Sequence, residues 1–302
     1  MISVIMPTYN RKDMMKQAVE SIFMQSFKEL EVVIVDDCSS DDTQSVINAL
    51  IAEGKKIVYH RNDTNRGPGY NRNLGYKLSK GEYIVFMDDD DYYTDKDFYS
   101  KVMGVFRREE RLACVEANSM IENVYDNTFI PTDIGFSGRK NGIDYLLEIN
   151  GKYKKPMSTF ATVFSRKYLE KADLINMKMV NDIAIYMRVL VFGDVFVIPD
   201  LIGNYRIHSN NISSRIEVNF LIENIKERFW VANRLPIGKR EKYQWLDKQI
   251  IFCFSYFVKG SHPKSKEIMK LTIWIICHSH LSLHLYKRII GTLLRDRKKS
   301  LY

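Results

Sequence analysis

The sequence predicts an α/β protein with a Rossmann-like, mostly parallel sheet flanked by helices and a helical region at the C-terminus. Three observations favour this class. Short apolar runs alternate with helix-period segments over the first ninety residues, most of these runs end in polar clusters, and helical periodicity dominates beyond Val218. Alternating strands and helices are typical of parallel sheets covered on both faces. With 302 residues and 45% hydrophobic composition, the chain can build a large core.

The strands predicted in the first part of the chain are short continuous apolar runs, which indicate strands buried on both faces. They cover residues 2–7 (ISVIMP), 30–37 (LEVVIVDD), 56–60 (KIVYH) and 82–87 (EYIVFM). The intervening segments place apolar residues at helical spacing and cover residues 11–26, 39–54 and 69–81. Ser and Asp residues open the second of these helices, and Gly54 and Gly81 are natural helix ends.

The pattern becomes mixed after residue 92. We expect strands at 112–121 and 159–165, helices at 141–150 and 181–193, and a pair of strands within 195–208 that leads into a polar loop. Helical periodicity takes over after a change in composition near residue 215. The sequence therefore predicts a domain at 1–215 and a basic helical region at 216–302.

The charge of the chain is unevenly distributed. The net charge is +8, yet from Val218 to the C-terminus 17 Lys and Arg face 6 Asp and Glu, so the preceding part is mildly acidic. A basic tail favours anionic partners such as phospholipid surfaces, nucleic acid or polyanionic polymers. The alternative is a solvated helical face. The tail contains no recognisable nucleic-acid recognition module, so we expect no nucleic-acid partner.

Cysteine usage and hydropathy indicate the compartment. The four cysteines are scattered without a CxxC pair, which argues against a zinc ribbon or a disulfide framework and suits a reducing environment. The N-terminus has no signal-peptide pattern, and no run of 18 or more apolar residues occurs. We therefore expect a cytoplasmic protein, with peripheral contact to the inner face of the membrane as an option for the basic tail.

Polar clusters follow three of the predicted strands. PTYN begins at Pro7, Asp36 and Asp37 end the second strand, and four aspartates, Asp88–Asp91, follow the fourth. The carboxyl ends of parallel strands meet at one edge of a sheet, where ligands bind in this class of fold. Three such clusters at one edge indicate a binding site.

The four aspartates predict a divalent cation. Carboxylate oxygens on a loop suit Mg²⁺ or Mn²⁺, which also bind the phosphate oxygens of a nucleotide. If strand geometry persists beyond the fourth strand, Asp88 and Asp90 point to one side and Asp89 and Asp91 to the other. The alternative is that the aspartates form the acidic first turn of a helix starting near Thr94.

The acids after the second strand and the glycine-rich segment after the third strand have nucleotide-binding character as well. An acid after the second strand can accept a hydrogen bond from a base N–H or a sugar hydroxyl, or it can cap a helix beginning at Asp41. The segment NRGPGYNRNLG (residues 65–75) fails the dinucleotide fingerprint, because Arg72 stands in place of its third glycine and the segment follows the third strand. Arg66 and Arg72 flank a glycine-rich turn and can meet phosphate or a nucleobase carbonyl.

Together these motifs resemble family 2 glycosyltransferases of the GT-A fold. The motifs SVIMPTYNR, VVIVDDCSSDDT, NRGPGYNRNLG, GEYIVFMDDDD, VNDIAIYMR and YRIHSNNIS occur in that family's order over residues 1–213. The segment VVIVDD alone also resembles the receiver domains of response regulators, which end far short of this chain. The fuller resemblance is to bacterial enzymes that build capsule, exopolysaccharide or teichoic-acid decorations. It implies inverting sugar transfer from a nucleotide sugar within a single α/β domain.

The resemblance also implies functions for individual residues. The residues expected to bind the nucleotide sugar are Pro7 and Tyr9 at the base, Asp37 at the uracil N–H, Asn65 and Arg72 near base and ribose, Asp88 at the ribose or sugar, and Asp89 as the variable middle residue of the DxD motif. Asp90 and His208 are expected to bind Mn²⁺ or Mg²⁺, although a loop histidine with a local hydrogen bond is the alternative for His208. Asp37 favours UDP as the nucleotide.

Asp182 is the catalytic base that the resemblance implies. The family has a Glu-Asp pair here, whereas this chain has Asn181 and Asp182. Inverting transfer needs one base opposite the leaving group, so the chemistry can survive the replacement. The loss of a neighbouring acid also supports an alternative of another class, a catalytically silent protein that binds a nucleotide sugar or a polyanion.

The main hypothesis is a metal-dependent transferase that moves a hexosyl or N-acetylhexosaminyl group from a UDP-sugar to a glycan or lipid-linked acceptor. The last residues of the chain, 285–302, interleave apolar and basic side chains, which suits a helix lying on an anionic membrane. Homo-oligomerisation is the other function expected of the helical region.

Overall fold

A computed structural model describes residues 1–177, 180–208, 218–260 and 265–278. The chain divides into two compact units, Met1–Ser209 and Asn210–Tyr302. The first unit is built from strands β1 (Ile2–Thr8), β2 (Leu30–Asp36), β3 (Ile57–Arg61), β4 (Tyr83–Phe86), β5 (Tyr92–Tyr93), β6 (Leu112–Asn123), β7 (Thr128–Pro131), β8 (Gly138–Lys140), β9 (Thr162–Ser165) and β10 (Asp194–Ile207). Its helices are α1 (Lys12–Phe23), α2 (Thr43–Ala52), α3 (Pro68–Leu78), α4 (Phe98–Arg108), α5 (Gly142–Glu148), α6 (Arg166–Lys171) and α7 (Asp182–Leu190).

The strands form one sheet in the order β3-β2-β1-β4-β9-β6-β10-β5, with β7 paired to β6 and β8 to β10. Strand β1 is parallel to β2 and β4, β2 is parallel to β3, and β6 is parallel to β10. Strand β9 is antiparallel to both β4 and β6. Because two reversals restore the direction, β6 and β10 run the same way as β1. The carboxyl ends of β1, β2, β4, β6 and β10 therefore share one edge.

The first half of the sheet confirms the predicted alternation of buried strands and helices. Every residue of β1 and β2 is buried. Helix α3 packs so closely on this part of the sheet that a Cβ on Gly75 would lie 2.4 Å from Ile5 Cγ2. A larger residue at Gly75 would push the helix off the sheet, and the motif at the start of α3 would move with it.

Two segments differ from the prediction. Residues 159–161, expected to be strand, form a 3₁₀ turn that precedes β9, and the ring of Phe160 is buried in the core. Residues 195–208, expected to be a strand pair, form the single strand β10, whose register with β6 shifts between Ile198 and Leu201. Pro199 lies in this gap, and a proline has no N–H to donate to a neighbouring strand, so the chain bulges without turning back.

The four aspartates do not begin a helix, so that alternative is wrong. After them comes β5, and the N–H groups of Thr94 and Asp95 donate to Ile202 O on β10. Helix α4 begins only at Phe98. The acids of Asp88–Asp91 therefore lie well outside its first turn and have other partners.

The second unit is helical, as expected from its periodicity. It contains α8 (Val218–Arg234), α9 (Lys239–Gly260) and α10 (Ser265–His278), which bury a common apolar cluster that includes Ile225, Phe254 and Leu271. Of the helices described, none is both long and apolar enough to cross a membrane. The basic segment 285–302 lies outside the described residues.

Candidate active site

Arg72 on α3 joins two of the predicted site acids. Its Nη2 donates to Asp88 Oδ1 at 2.6 Å and lies 3.6 Å from Asp182 Oδ1. Nη1 donates to Val180 O at 3.3 Å, just before α7. Burial disfavours the charge on Arg72, but Asp88 and Asp182 raise its pKa above the ordinary value. A permanently charged guanidinium thus connects the expected donor-binding acid to the expected base.

Asp89 and Asp90 share a second guanidinium, that of Arg11 at the start of α1. Arg11 Nη1 lies 2.9 Å from Asp89 Oδ1 and 2.7 Å from Asp90 Oδ2. Asp89 Oδ2 also accepts a hydrogen bond from Thr8 Oγ1 at 2.7 Å. Burial raises the pKa of Asp89 to about 7 even though Arg11 opposes the shift. Asp89 is therefore a buried structural acid as well as the middle residue of the motif.

The expected alternation of the aspartates is wrong. Strand β4 ends at Phe86, and Asp91 N–H donates to Asp88 O in a turn. Asp89 and Asp90 consequently face the same guanidinium instead of opposite sides. Asp91 is buried, and its Oδ2 accepts a hydrogen bond from Ser158 Oγ at 2.7 Å. Burial, with Asp90 and Asp88 nearby, raises the pKa of Asp91 well above its ordinary value.

The two expected metal ligands lie together. His208 follows β10, and its Nε2 is 2.9 Å from Asp90 Oδ2. Arg206 Nε donates to the Asp90 carbonyl oxygen, which ties the aspartate turn to the end of β10. The side chains of Asp90 and His208 are both buried. Asp90 and His208 are 118 residues apart in the sequence, and they meet because both follow strands whose carboxyl ends share one edge of the sheet.

The donor chemistry of this pair fits a divalent ion that shares its ligands with a nucleotide. Within residues 1–177, 180–208, 218–260 and 265–278, no group of three or more His, Cys, Asp or Glu side chains is arranged to hold a metal. Mg²⁺ and related ions commonly use one or two protein ligands and complete their shell with phosphate oxygens and water. Asp90 and His208 match the one or two protein ligands of such a site, whereas no metal cage made of protein alone is present in the described part.

Asp37 holds the glycine-rich loop that leads into α3. Its Oδ1 accepts hydrogen bonds from Asn62 Nδ2 at 2.9 Å and Arg66 N at 2.7 Å, and its Oδ2 accepts one from Gly67 N at 2.8 Å. Gly67 has φ of 82°, a conformation that favours glycine. A carboxylate oxygen can accept two hydrogen bonds, so Oδ2 has capacity for a ligand donor.

The remaining predicted nucleotide-binding residues lie at the same edge of the sheet. Pro7 is buried in β1, and Tyr9 comes directly after that strand with 46% of its surface exposed. Asn65 is exposed on the loop after β3. An accessible aromatic ring beside a polar loop is suited to stacking on a nucleobase.

Asn181, the departure from the family's acid pair, caps the helix that carries Asp182. Its side-chain oxygen accepts a hydrogen bond from Ala184 N at 3.0 Å, and α7 begins at Asp182. Asn is among the preferred N-cap residues, and a carboxylate in the first turn is stabilised by the helix dipole. The capping preference of Asn could have been read from the sequence. Arg11 could also have been identified from the sequence, because it is a cation that directly follows the PTYN motif and the same sheet edge was expected to carry four acids.

A buried polar group lies on β6 within the same unit. Glu116 Oε2 accepts a hydrogen bond from Tyr145 OH at 3.0 Å, and Cys114 Sγ lies 3.6 Å from Oε1. Burial raises the pKa of Glu116 to about 8. Burial also lowers the pKa of Lys155, although the negative charges of Asp182 and Glu116 oppose this change. Lys155 is thus within electrostatic range of both Asp182 and Glu116.

Sequence comparison identifies relatives. A model of the family described as Glycosyl transferase family 2 matches residues 3–171. The GalNAc(5)-diNAcBac-PP-undecaprenol beta-1,3-glucosyltransferase of Campylobacter jejuni is 33% identical over 177 residues, which are 56% of this chain and 53% of that protein. WfaP of Escherichia coli, a UDP-Glc:alpha-D-GlcNAc-diphosphoundecaprenol beta-1,3-glucosyltransferase, is 28% identical over 219 residues, 71% of this chain and 80% of WfaP. The chain thus spans about half the length of the Campylobacter relative.

Solved structures confirm the fold. TarS residues 1–349 of S. aureus, in complex with UDP-GlcNAc, match with a TM-score of 0.68 at 18% identity, covering 97% of this chain and 79% of that one. The mannosyltransferase PcManGT of Pyrobaculum calidifontis, in complex with GDP-Man and Mn²⁺, matches with a TM-score of 0.55 at 15% identity, covering 100% of this chain and 80% of that one. The predicted GT-A fold is therefore correct. Because the family model covers more than half of the chain, the protein belongs to glycosyl transferase family 2.

Proposed function

We propose that the protein is an inverting, metal-dependent glycosyltransferase that uses a UDP-sugar donor and a lipid-linked or polymeric glycan acceptor. The observation that carries this proposal is the position of Arg72, which lies 2.6 Å from Asp88 and 3.6 Å from Asp182. Arg72 thus holds the expected donor-binding acid and the expected base close together, and a direct displacement needs the donor sugar and the base at neighbouring positions.

The nucleotide end of the donor is assigned to the loops after β1, β2 and β3. Tyr9 stacks on the base against Pro7, and Asp37 accepts the uracil N3–H on its remaining acceptor position. Asn65 and Arg72 bind near the base and ribose, while Asp88 accepts from a ribose or sugar hydroxyl. The exposure of Tyr9 and the free capacity of Asp37 Oδ2 support this arrangement.

Asp90 and His208 would hold the divalent ion beside the donor diphosphate. When bound, Mn²⁺ or Mg²⁺ supplies positive charge that stabilises the departing UDP. The contact of 2.9 Å between Asp90 Oδ2 and His208 Nε2 supports this pairing, because two ligands of one ion lie at such a separation.

Asp182 is the proposed base. Its carboxylate takes the proton of the acceptor hydroxyl, the acceptor oxygen bonds to the anomeric carbon, and the bond from that carbon to UDP breaks with its electron pair remaining on UDP. Attack from the face opposite UDP inverts the configuration at this carbon. The partial exposure of Asp182 and its place at the N-terminus of α7 suit a base that must meet an external hydroxyl.

The names of the relatives support the choice of donor and acceptor. WfaP is named for UDP-Glc and for a diphosphoundecaprenol acceptor, and the Campylobacter relative is named for a PP-undecaprenol acceptor. TarS was solved with UDP-GlcNAc. We therefore assign a UDP-hexose or UDP-N-acetylhexosamine as donor and a sugar on a lipid diphosphate as the first acceptor to test.

UDP release from a panel of UDP-sugars, with Mn²⁺ or with EDTA, tests the proposal. We expect turnover with one donor in the presence of Mn²⁺ and an undecaprenyl-diphosphate glycan, and loss of turnover with EDTA. Mn²⁺-dependent UDP binding without transfer or hydrolysis would favour the silent-binder alternative. The capping function of Asn181 weakens that alternative, because it gives the amide a structural purpose while Asp182 keeps its carboxylate.

A further inference from the structure

Arg11 contacts the same Asp90 carboxylate that the proposed metal site would use as a ligand. Its Nη1 contacts Asp90 Oδ2 at 2.7 Å, and the same oxygen lies 2.9 Å from His208 Nε2. Nη1 also contacts Asp89 Oδ1 at 2.9 Å. The side chain of Arg11 is largely buried, as are both carboxylates. In the ligand-free protein a cation of the chain itself therefore offsets part of the negative charge of Asp89 and Asp90.

This arrangement cannot stay unchanged when a divalent cation binds to Asp90. The cation and the guanidinium would compete for the same carboxylate oxygen, and two positive charges in a largely buried position repel each other strongly. The guanidinium would lose Asp90 and keep only Asp89 as an anionic neighbour, and the diphosphate that accompanies the cation is the further anion expected at this site. Arginine is well suited to this exchange, because its planar fork binds carboxylate and phosphate with similar geometry.

We propose that Arg11 is an exchangeable internal cation, which occupies Asp89 and Asp90 in the free protein and moves to the donor diphosphate when the divalent ion binds. This inference rests on the proposed function, since it assumes the metal and the diphosphate. Arg11 thereby makes the two ligands cooperative. It weakens the binding of the metal alone, and in the complete complex it adds a charge-assisted contact to the diphosphate.

Cooperativity of this kind is measurable without any sugar transfer. Thermodynamic linkage requires that UDP improves the affinity for Mn²⁺ by the same factor as Mn²⁺ improves the affinity for UDP. Removing Arg11 should lower this coupling factor. The metal alone then no longer displaces a guanidinium, and the complete complex loses one phosphate contact.

The experiment measures Mn²⁺ binding to the full chain by electron paramagnetic resonance of the free ion, with and without UDP, for the wild type and Arg11→Gln. We expect Arg11→Gln to bind MnCl₂ alone about tenfold more tightly, and to show a coupling factor between Mn²⁺ and UDP that is about tenfold smaller, because single charge-assisted contacts have about this value. UDP titrations followed by calorimetry at saturating and zero Mn²⁺ must give the same coupling factor.

Lys12→Gln is the matched control. Lys12 is the neighbouring cation, but its Nζ bonds Asp42 at 2.6 Å on an exposed surface. We expect wild-type Mn²⁺ affinity and coupling in this variant. Arg11→Lys keeps the charge without the fork and should fall between the wild type and Arg11→Gln, so it preserves the test if Arg11→Gln is recovered unfolded.

The outcomes separate the inference from the function on which it rests. Wild-type protein that binds Mn²⁺ and UDP cooperatively, with the same coupling in Arg11→Gln and Arg11→Lys, overturns the exchange and leaves the metal-dependent function intact. Wild-type protein that binds UDP with no effect of Mn²⁺ overturns both. A tighter site for Mn²⁺ alone with reduced coupling in the Arg11 variants supports both.

Discussion

Replacing Glu116 with Gln should remove a pH-dependent loss of stability from the core. The carboxyl group is buried on β6, and its oxygens contact Tyr145 OH at 3.0 Å and Cys114 Sγ at 3.6 Å. Burial raises its pKa from 4.5 to about 8. Glutamine has nearly the same shape and can still accept the hydrogen bond of Tyr145, but it has no proton to lose in this range.

The size and sign of the effect follow from proton linkage. A raised pKa in the folded state means that the stability contributed by the protonated carboxyl is complete below pH 4.5 and is lost as the pH rises to about 8. Each unit of pKa difference corresponds to about 1.4 kcal/mol, so the loss between pH 5 and pH 7.5 is about 3 kcal/mol. Glu116→Gln should therefore match the wild type near pH 4.5 and exceed its unfolding free energy by about 3 kcal/mol at pH 7.5.

Urea unfolding at half-unit steps from pH 5 to pH 8 measures this difference. Other groups titrate in the same range, so the relevant quantity is the unfolding free energy of Glu116→Gln minus that of the wild type at each pH. Glu20→Gln, at an exposed acid on α1, serves as the control and should follow the wild type throughout. A difference between Glu116→Gln and the wild type that does not grow with pH would refute the assignment of a protonated buried carboxyl.

Three further predictions concern the site. Asp182→Asn should lower UDP release by about 10²- to 10⁴-fold, the usual contribution of a general base, while calorimetry shows UDP binding close to wild type; wild-type turnover would remove Asp182 as the base. Asp90→Ala should strongly lower turnover and remove the response of the residual activity to Mn²⁺, and an unchanged Mn²⁺ titration of that activity would exclude Asp90 as a ligand. Asn181→Ala should lower the unfolding free energy by about 1 kcal/mol through loss of the cap on α7, and Asn181→Ser should restore it, as measured by thermal unfolding; equal stability of all three proteins would contradict the capping function.

Much of the first half of the fold could be predicted, because β1, β2 and most of β4 are buried, with only the edge strand β3 partly exposed. Continuous apolar runs such as residues 30–37 have one physical explanation when helical segments separate them, and β1–β4 form the parallel set that this pattern indicates. The position of the polar clusters at one sheet edge followed from the same pattern. The family resemblance then assigned functions to residues at that edge.

The pairing of site residues could not be derived from sequence. Strand periodicity suggested opposite directions for Asp89 and Asp90, but the chain turns after Phe86 and both acids meet Arg11. Such contacts depend on where strands end and how a turn closes, and hydrophobic periodicity reports neither. The single strand β10 was missed for a related reason, because a proline within an apolar run resembles a break between two strands.

The antiparallel insertion of β9 has a consequence for biosynthesis. Strand β9 joins β4 to β6, yet it follows both of them in the chain and is complete only at Ser165. A nascent or truncated chain that ends before this residue leaves open the edges of β4 and β6 that β9 covers, each with unpaired backbone groups. Open edges of apolar strands recruit other strands, so such fragments are expected to aggregate rather than fold. Expression trials of shortened proteins should therefore keep residues 159–165 in every fragment that contains the catalytic unit.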